Sequence, residues 1–278
     1  MPRHSRSTSM LKRATTMLLL AVLSLAVLPQ ARAAGPLDNH TLPHGPFTTD
    51  NIAALQKRMS KAPVGQRVAF WAESFLGAPY DTDPKGAYVT SRALVYDAEV
   101  DCMYLVFRAA SLATSDTPEA AAERAKELMF TTRGKVVGGL VTNYDERFEY
   151  AEDMVASGKW GKDITATLGK TTRLAGSRSH DHVDVLPKDE AQKPGALKRL
   201  QDGDIIYFVK DPARRAVGEI VGHLGVVKVE DGAPMLIHAS GNKSTCDKTG
   251  GGVVKKVALA DYMAKMKFVG VMVTRFGE

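Results

Sequence analysis

Thiol and imidazole are the two side-chain types in this chain that could work as a nucleophile and its base. The cysteines are Cys102 and Cys246, and there are seven histidines. A thiol attacks a carbonyl as its thiolate, and an ordinary pKa of about 8.5 leaves little of that form at neutral pH. A helix N-terminus or an adjacent imidazole lowers that value. Cys102 meets the first condition. Asp101 is a suitable N-cap, and Asp101–Ala113 (DCMYLVFRAASLA) is helical in composition, with Met103, Val106, Phe107 and Ala110 on one face. A buried structural cysteine would suit the same segment.

A base must come from elsewhere in the chain. His4, His40 and His44 lie in the N-terminal polar segments. His180 and His182, in Ser179-His180-Asp181-His182, have no cysteine or carboxylate cluster to complete a metal site, so that stretch reads as a solvated loop. His223 and His238 differ, because each sits inside an apolar β-like run on either side of Asp231-Gly232. Two histidines on neighbouring antiparallel strands can share a face. One could then take the thiol proton while the other orients it. Two satisfied core histidines, or a zinc pair awaiting a third ligand, would leave the same pattern.

These residues need elements to hold them. The sequence predicts a helix over Asn51–Lys61 capped by Thr49-Asp50, and a second apolar-periodic stretch over Pro63–Leu76. A turn-rich loop follows over Asp81–Gly86, and further helices are expected over Glu119–Met129 and Asp145–Ser157. Gly158–Leu200 reads as irregular. The C-terminal third changes to short β-branched runs: Asp204–Val209, His223–Val229, Met235–Ala239, Val253–Ala258 and Phe268–Arg275. Asp231-Gly232 is the hairpin signal between the second and third. Helices first and an antiparallel meander afterwards make the class α+β.

The 278 residues are enough for one sizeable domain with elaborations. Five of the 37 basic residues fall before residue 34, where there is no carboxylate, so the rest of the chain is close to neutral against its 31 acidic groups. That balance gives no support for nucleic-acid binding. Residues 1–33 have the layout of a cleavable export signal: a basic start, the apolar run Met17–Leu28, and small residues at Ala31-Arg32-Ala33. Such a run makes about 18 Å of helix, short of the roughly 30 Å bilayer core. The expected organisation is a signal over 1–33, a lead-in and helix over 34–66, and a catalytic domain over 67–278. The mature protein is expected in the periplasm, without stable membrane insertion.

Taken in order, Gly77-Ala78-Pro79-Tyr80, Asp101-Cys102, His223-Leu224-Gly225-Val226 and Ile237-His238-Ala239-Ser240 resemble the NlpC/P60 cell-wall cysteine peptidases. The resemblance implies a papain-like core, with the nucleophile's helix packed on an antiparallel sheet and an N-terminal helical region. It implies Cys102 as nucleophile, His223 as base and His238 as the third member. Tyr80 matches the tyrosine near the nucleophile, and Asp202-Gly203-Asp204-Ile205 the turn into the first sheet strand. Within the superfamily the chain is most similar to the DUF1460 branch, in the insert between Tyr80 and Asp101, the region Asp145–Gly169, and Gly270-Val271 with Thr274-Arg275. Two departures stand out. Asp101-Cys102-Met103-Tyr104 replaces the usual Asp-Cys-Ser-Gly or Asp-Cys-Val-Thr, and Cys246 is outside the pattern.

The implied activity is hydrolysis of the amide joining the lactyl group of N-acetylmuramic acid to L-alanine, in peptidoglycan or muropeptides. The resemblance calls for no metal or organic cofactor and leaves oligomeric state open. The Cys102 backbone N–H and the Tyr80 hydroxyl would hold the oxyanion. If Asp101 instead engages a free L-alanine amine, the cut falls between D-Glu and the diamino acid. Lipid acyl chemistry on the same fold would call for an apolar groove or an amphipathic membrane helix, and the sequence offers no persuasive basic amphipathic stretch. Outside the cytoplasm a Cys102–Cys246 disulfide is a further alternative, switching the enzyme off or making a non-catalytic envelope binding protein. N-terminal sequencing of the protein recovered from the periplasm is expected to begin near Ala34; a chain still starting at Met1 would mean an uncleaved anchor.

Overall fold

The computed structural model describes residues 47–241 and 251–277. The signal, the lead-in up to residue 46, and Cys246 with its possible disulfide lie outside the described residues.

The helical half runs α1 (Thr49–Met59), α2 (Val64–Glu73), α3 (Ala87–Thr90), α4 (Cys102–Ala113) and α5 (Pro118–Leu128). A small ribbon of β1 (Val136–Val137) and β2 (Leu140–Val141) precedes α6 (Ala151–Ser157), β3 (Lys162–Asp163) and α7 (Thr165–Leu168). Next come β4 (Thr172–Ser177), β5 (His180–Pro187), α8 (Lys188–Ala191) and α9 (Pro194–Leu197). The chain closes with β6 (Ile205–Lys210), β7 (Val221–Glu230), β8 (Ala233–Ser240), β9 (Val253–Ala258), α10 (Leu259–Lys265) and β10 (Phe268–Arg275). The strands form one antiparallel sheet in the order β4-β5-β10-β6-β7-β8-β9, with β3 on the end of β10. This is the expected α+β class, and α4 packs against β7 and β8.

The expected helices and late strands lie within a few residues of their predicted bounds, and four details differ. The cap of α1 is Thr48, whose hydroxyl accepts from the Asn51 N–H at 3.3 Å. Helix α4 presents no single apolar face, because every residue from Tyr104 to Ala113 is buried. The helix expected over Asp145–Ser157 is broken. A 3-10 turn at Tyr144–Glu146 gives way to extended chain, where Phe148 donates to the Met129 carbonyl at 2.9 Å before α6 begins. Pairing of that stretch with the end of α5 wins over local propensity. Gly158–Leu200 is not irregular: it holds the β4–β5 hairpin, whose buried Val183 and Val185 alternate with exposed His182 and Asp184.

The meander covers β6 to β9 only. Strand β10 returns past them to pair with β6 on its far side, so β6 is flanked on both edges. Ile205 to Val209 are all at most 1% exposed, meaning the sheet is covered on both faces at its centre. The first and last strands of this group are joined by Arg275, which donates to both oxygens of the fully buried Asp204 carboxylate at 2.6 and 2.7 Å. The Asp231-Gly232 hairpin is as expected, both residues having positive φ (50° and 78°), as a tight two-residue turn requires.

Helix α4 is held from three directions. Gln56 of α1 donates to the carbonyls of Leu112, Ser115 and Thr117, covering the helix C-terminus. Arg108, midway along, pairs with Asp97 through contacts of 2.8 to 3.1 Å, both side chains being buried. Tyr104 donates to the same carboxylate at 3.0 Å and accepts from the Tyr96 N–H. The loop entering the helix is therefore pinned to its interior. Removing one partner of a buried pair strands the other charge, so Asp97→Ala is expected to cost about 3–5 kcal/mol in urea unfolding. The double change Asp97→Leu, Arg108→Met should cost less than the single one.

Candidate active site

Asp101 starts α4 with extended backbone, and its Oδ1 accepts from the Tyr104 N–H at 2.7 Å. Cys102 is therefore the first helical residue, where backbone N–H groups point out of the helix and favour a thiolate. Tyr80 is brought alongside by backbone pairing. Val100 donates to the Pro79 carbonyl at 2.9 Å, Asp81 donates to the Val100 carbonyl at 3.0 Å, and Tyr80 donates to Gly252 at 2.8 Å. The segment is thus clamped between the chain entering α4 and the chain entering β9. Gly241 packs directly on the Tyr80 ring, where a Cβ would lie 2.2 Å from its carbons.

His223 comes from β7 and His238 from β8. The ladder between these strands begins at Val226 and Ile237, the residues next to Gly225 and His238. A Cβ at 225 would stand 2.6 Å from the Ile237 carbonyl and 3.2 Å from the His238 Cβ. Glycine in His223-Leu224-Gly225 thus gives His238 room to lie beside His223. Nε2 of His223 meets Nδ1 of His238 at 2.9 Å, with the rings nearly perpendicular. The start of β7 is anchored by Glu152 of α6, a buried carboxylate accepting from the N–H groups of Ile220 at 3.0 Å and Val221 at 3.2 Å.

A cleft of about 390 Å³ is lined by Tyr80, Asp101, Cys102, Arg147, Tyr150 and His223, among others. His238 stands behind His223, away from this cleft, and lines a second one of about 620 Å³ that shares His223 with the first. Four of the five residues singled out in the sequence therefore converge on one cavity, and the fifth is hydrogen-bonded to one of them. Since Nε2 of His223 is engaged by His238, Nδ1 is the ring nitrogen left for a thiol proton.

The electrostatics follow from burial. Burial, and then the neighbouring His238, hold the His223 imidazole well below its ordinary range. Burial and then the Lys255 ammonium push His238 down to about 4. Both shifts favour the neutral imidazole. Burial, followed by the charges of Cys102, Asp101 and Asp81, raises the Tyr80 hydroxyl, so it stays protonated and able to donate.

The other candidates lie elsewhere. His180 is on β5 rather than in a loop, and its Nε2 meets Asp153 of α6 at 2.7 Å; His182 is exposed on the same strand. Among the described residues, no three His, Cys, Asp or Glu side chains stand together as a metal cage. Tyr262 of α10 was not singled out in the sequence, yet its ring flanks both histidines. The spacing of Leu259, Tyr262 and Met263 is its signal, an apolar i, i+3, i+4 set in a stretch too short to stand out.

No family model matches this chain, and no curated protein matches it. Solved structures share the fold. An N-acetylmuramoyl-L-alanine amidase from Bacteroides uniformis superposes with a TM-score of 0.57 at 23% identity, covering 77% of this chain and 99% of its own. A DUF1460 protein from Legionella pneumophila has a TM-score of 0.61 at 15% identity, covering 81% of this chain and 93% of its own. A proposed xylanase from Bacteroides fragilis has a TM-score of 0.55 at 22% identity, covering 73% and 97%.

A histidine depressed on folding binds its proton more readily in the unfolded chain. The stability it supports is complete above its ordinary pKa of about 6.5 and is lost as pH falls toward the folded value. Between pH 7 and pH 4, His238 is expected to contribute a loss of roughly 2–3 kcal/mol. Urea unfolding at the two pH values should show that difference shrinking in His238→Gln. An unchanged difference would mean His238 is not held neutral by the fold.

Proposed function

We propose that the chain is a periplasmic cysteine amidase with a papain-like NlpC/P60 core. It hydrolyses the amide between the lactyl group of N-acetylmuramic acid and L-alanine, in peptidoglycan or its soluble fragments. The observation that carries this reading is the single cleft lined by Cys102, His223, Tyr80 and Asp101, with His238 bonded behind His223. The amidase and DUF1460 structures that share the fold supply the substrate class as a hypothesis. A glycoside hydrolase needs two carboxylates flanking the scissile bond. Carboxylates also line this cleft, but it brings the Cys102 thiol and the His223 imidazole into one cavity, which favours acyl chemistry.

Nδ1 of His223 takes the Cys102 proton, and the thiolate attacks the lactyl carbonyl carbon. The negative charge that develops on oxygen is met by the Cys102 backbone N–H and the protonated Tyr80 hydroxyl. As the tetrahedral species collapses, the C–N bond breaks and Nδ1–H protonates the departing L-alanine nitrogen. Water then gives a proton to Nδ1 and its oxygen to the thioester, releasing the lactyl carboxylate and restoring the thiol. Burial leaves His223 a poor base toward water, but in the same low-dielectric setting the thiolate and imidazolium attract each other strongly.

Muropeptides digested by the protein under reducing conditions should yield stem peptides with new L-alanine amines, detected by mass spectrometry. Cys102→Ala and His223→Ala are each expected to lower kcat by about a thousandfold or more. A cut after D-Glu would replace this reading with the endopeptidase. No product from reduced, folded protein would favour a binding protein.

A further inference from the structure

The two ring nitrogens of His238 have unequal surroundings. Nδ1 meets Nε2 of His223, while Nε2 is buried and, among the described residues, has no hydrogen-bond partner. A buried polar group left in that state is costly. The ring of Tyr262 lies against this imidazole, with centroids 4.9 Å apart and planes inclined at 63°, an edge-to-face arrangement. The face of an aromatic ring carries the negative part of its quadrupole. It therefore attracts an N–H and repels a bare nitrogen lone pair. The same tyrosine is itself fixed, packing on Phe208 at 4.9 Å and on the His223 ring at 5.9 Å.

The tautomer of this pair decides whether His223 can act. For Nδ1 of His223 to accept the Cys102 proton, neutral His223 must carry its hydrogen on Nε2 and donate it to Nδ1 of His238. His238 then holds its own hydrogen on Nε2. In the opposite tautomer His238 donates from Nδ1, and the hydrogen of His223 moves to Nδ1, where no thiol proton can be taken.

We propose that Tyr262 is a positioning residue: its ring receives the Nε2–H of His238 and so selects the tautomer in which His223 presents a bare Nδ1 to Cys102. The catalytic value of this selection rests on His223 being the base. The tautomer itself belongs to the resting protein and is read without substrate.

The test is nitrogen NMR of isotope-labelled histidines at neutral pH, in the wild type and in Tyr262→Phe and Tyr262→Leu. The wild type should show His238 protonated on Nε2 and bare on Nδ1, and His223 likewise. Phe keeps the ring and should keep the pattern. Leu should give mixed tautomers and, on a muropeptide substrate, a kcat about two- to fivefold lower with KM changed by less than about twofold. His238 protonated on Nδ1 in the wild type overturns the proposal, and that result needs no variant to fold. So does a folded Leu variant that keeps the wild-type tautomer. The expected tautomers in a protein that cleaves no muropeptide would support the Tyr262 assignment while counting against the amidase.

Discussion

Helix α4 is buried along its length, and this governs much of the remaining architecture. A helix apolar on all sides has to lie at the centre of the molecule, with its two ends and its few polar groups satisfied by other elements. Here the C-terminus is covered by Gln56, the buried Arg108 is matched by Asp97, and the N-terminus is capped by Asp101. The last of these puts Cys102 where the helix meets a cleft. The position of Cys102, the candidate nucleophile, thus follows from core packing.

The sheet contributes the second half of the site through the close approach of two strands. Gly225 removes the one side chain that would hold β7 and β8 apart at this level, and Glu152 fixes the start of β7 two residues before His223. The histidine pair is thereby sunk into the molecule, which costs both rings their basicity toward water. The same desolvation strengthens the attraction between any opposite charges that form in the site. Tyr80 obeys the same logic in the opposite sense, since burial beside acidic groups keeps its hydroxyl protonated.

The β4–β5 hairpin is tied to α6, which borders the cleft. Asp153 of α6 holds both Arg178 at 3.0 Å and His180 at 2.7 Å, and the Arg178 guanidinium lies 3.3 Å from the centre of the Tyr150 ring. Tyr150 and Arg147 face the cleft that contains Cys102. The hairpin therefore acts on the cavity at one remove, by fixing the helix that carries part of its lining. Behind it, Lys159 donates to four backbone carbonyls that end with Thr132, closing the C-terminus of α5.

Local rules made part of this protein readable in its residues. Asp101 before an apolar helix, Asp231-Gly232 between β-branched runs, and a cysteine at a helix start are short-range signals, and α4, the β7–β8 hairpin and the candidate nucleophile were legible from them. The Asp145–Ser157 segment misleads because its helical composition yields to pairing of Phe148 with the end of α5. The β4–β5 hairpin was hidden by charged residues on its exposed face. That β10 crosses back beside β6, that Gly225 admits His238 to His223, and that Tyr262 flanks the pair emerged with the three-dimensional fold. Each depends on contacts between residues far apart in the chain, which no local pattern of residue types encodes.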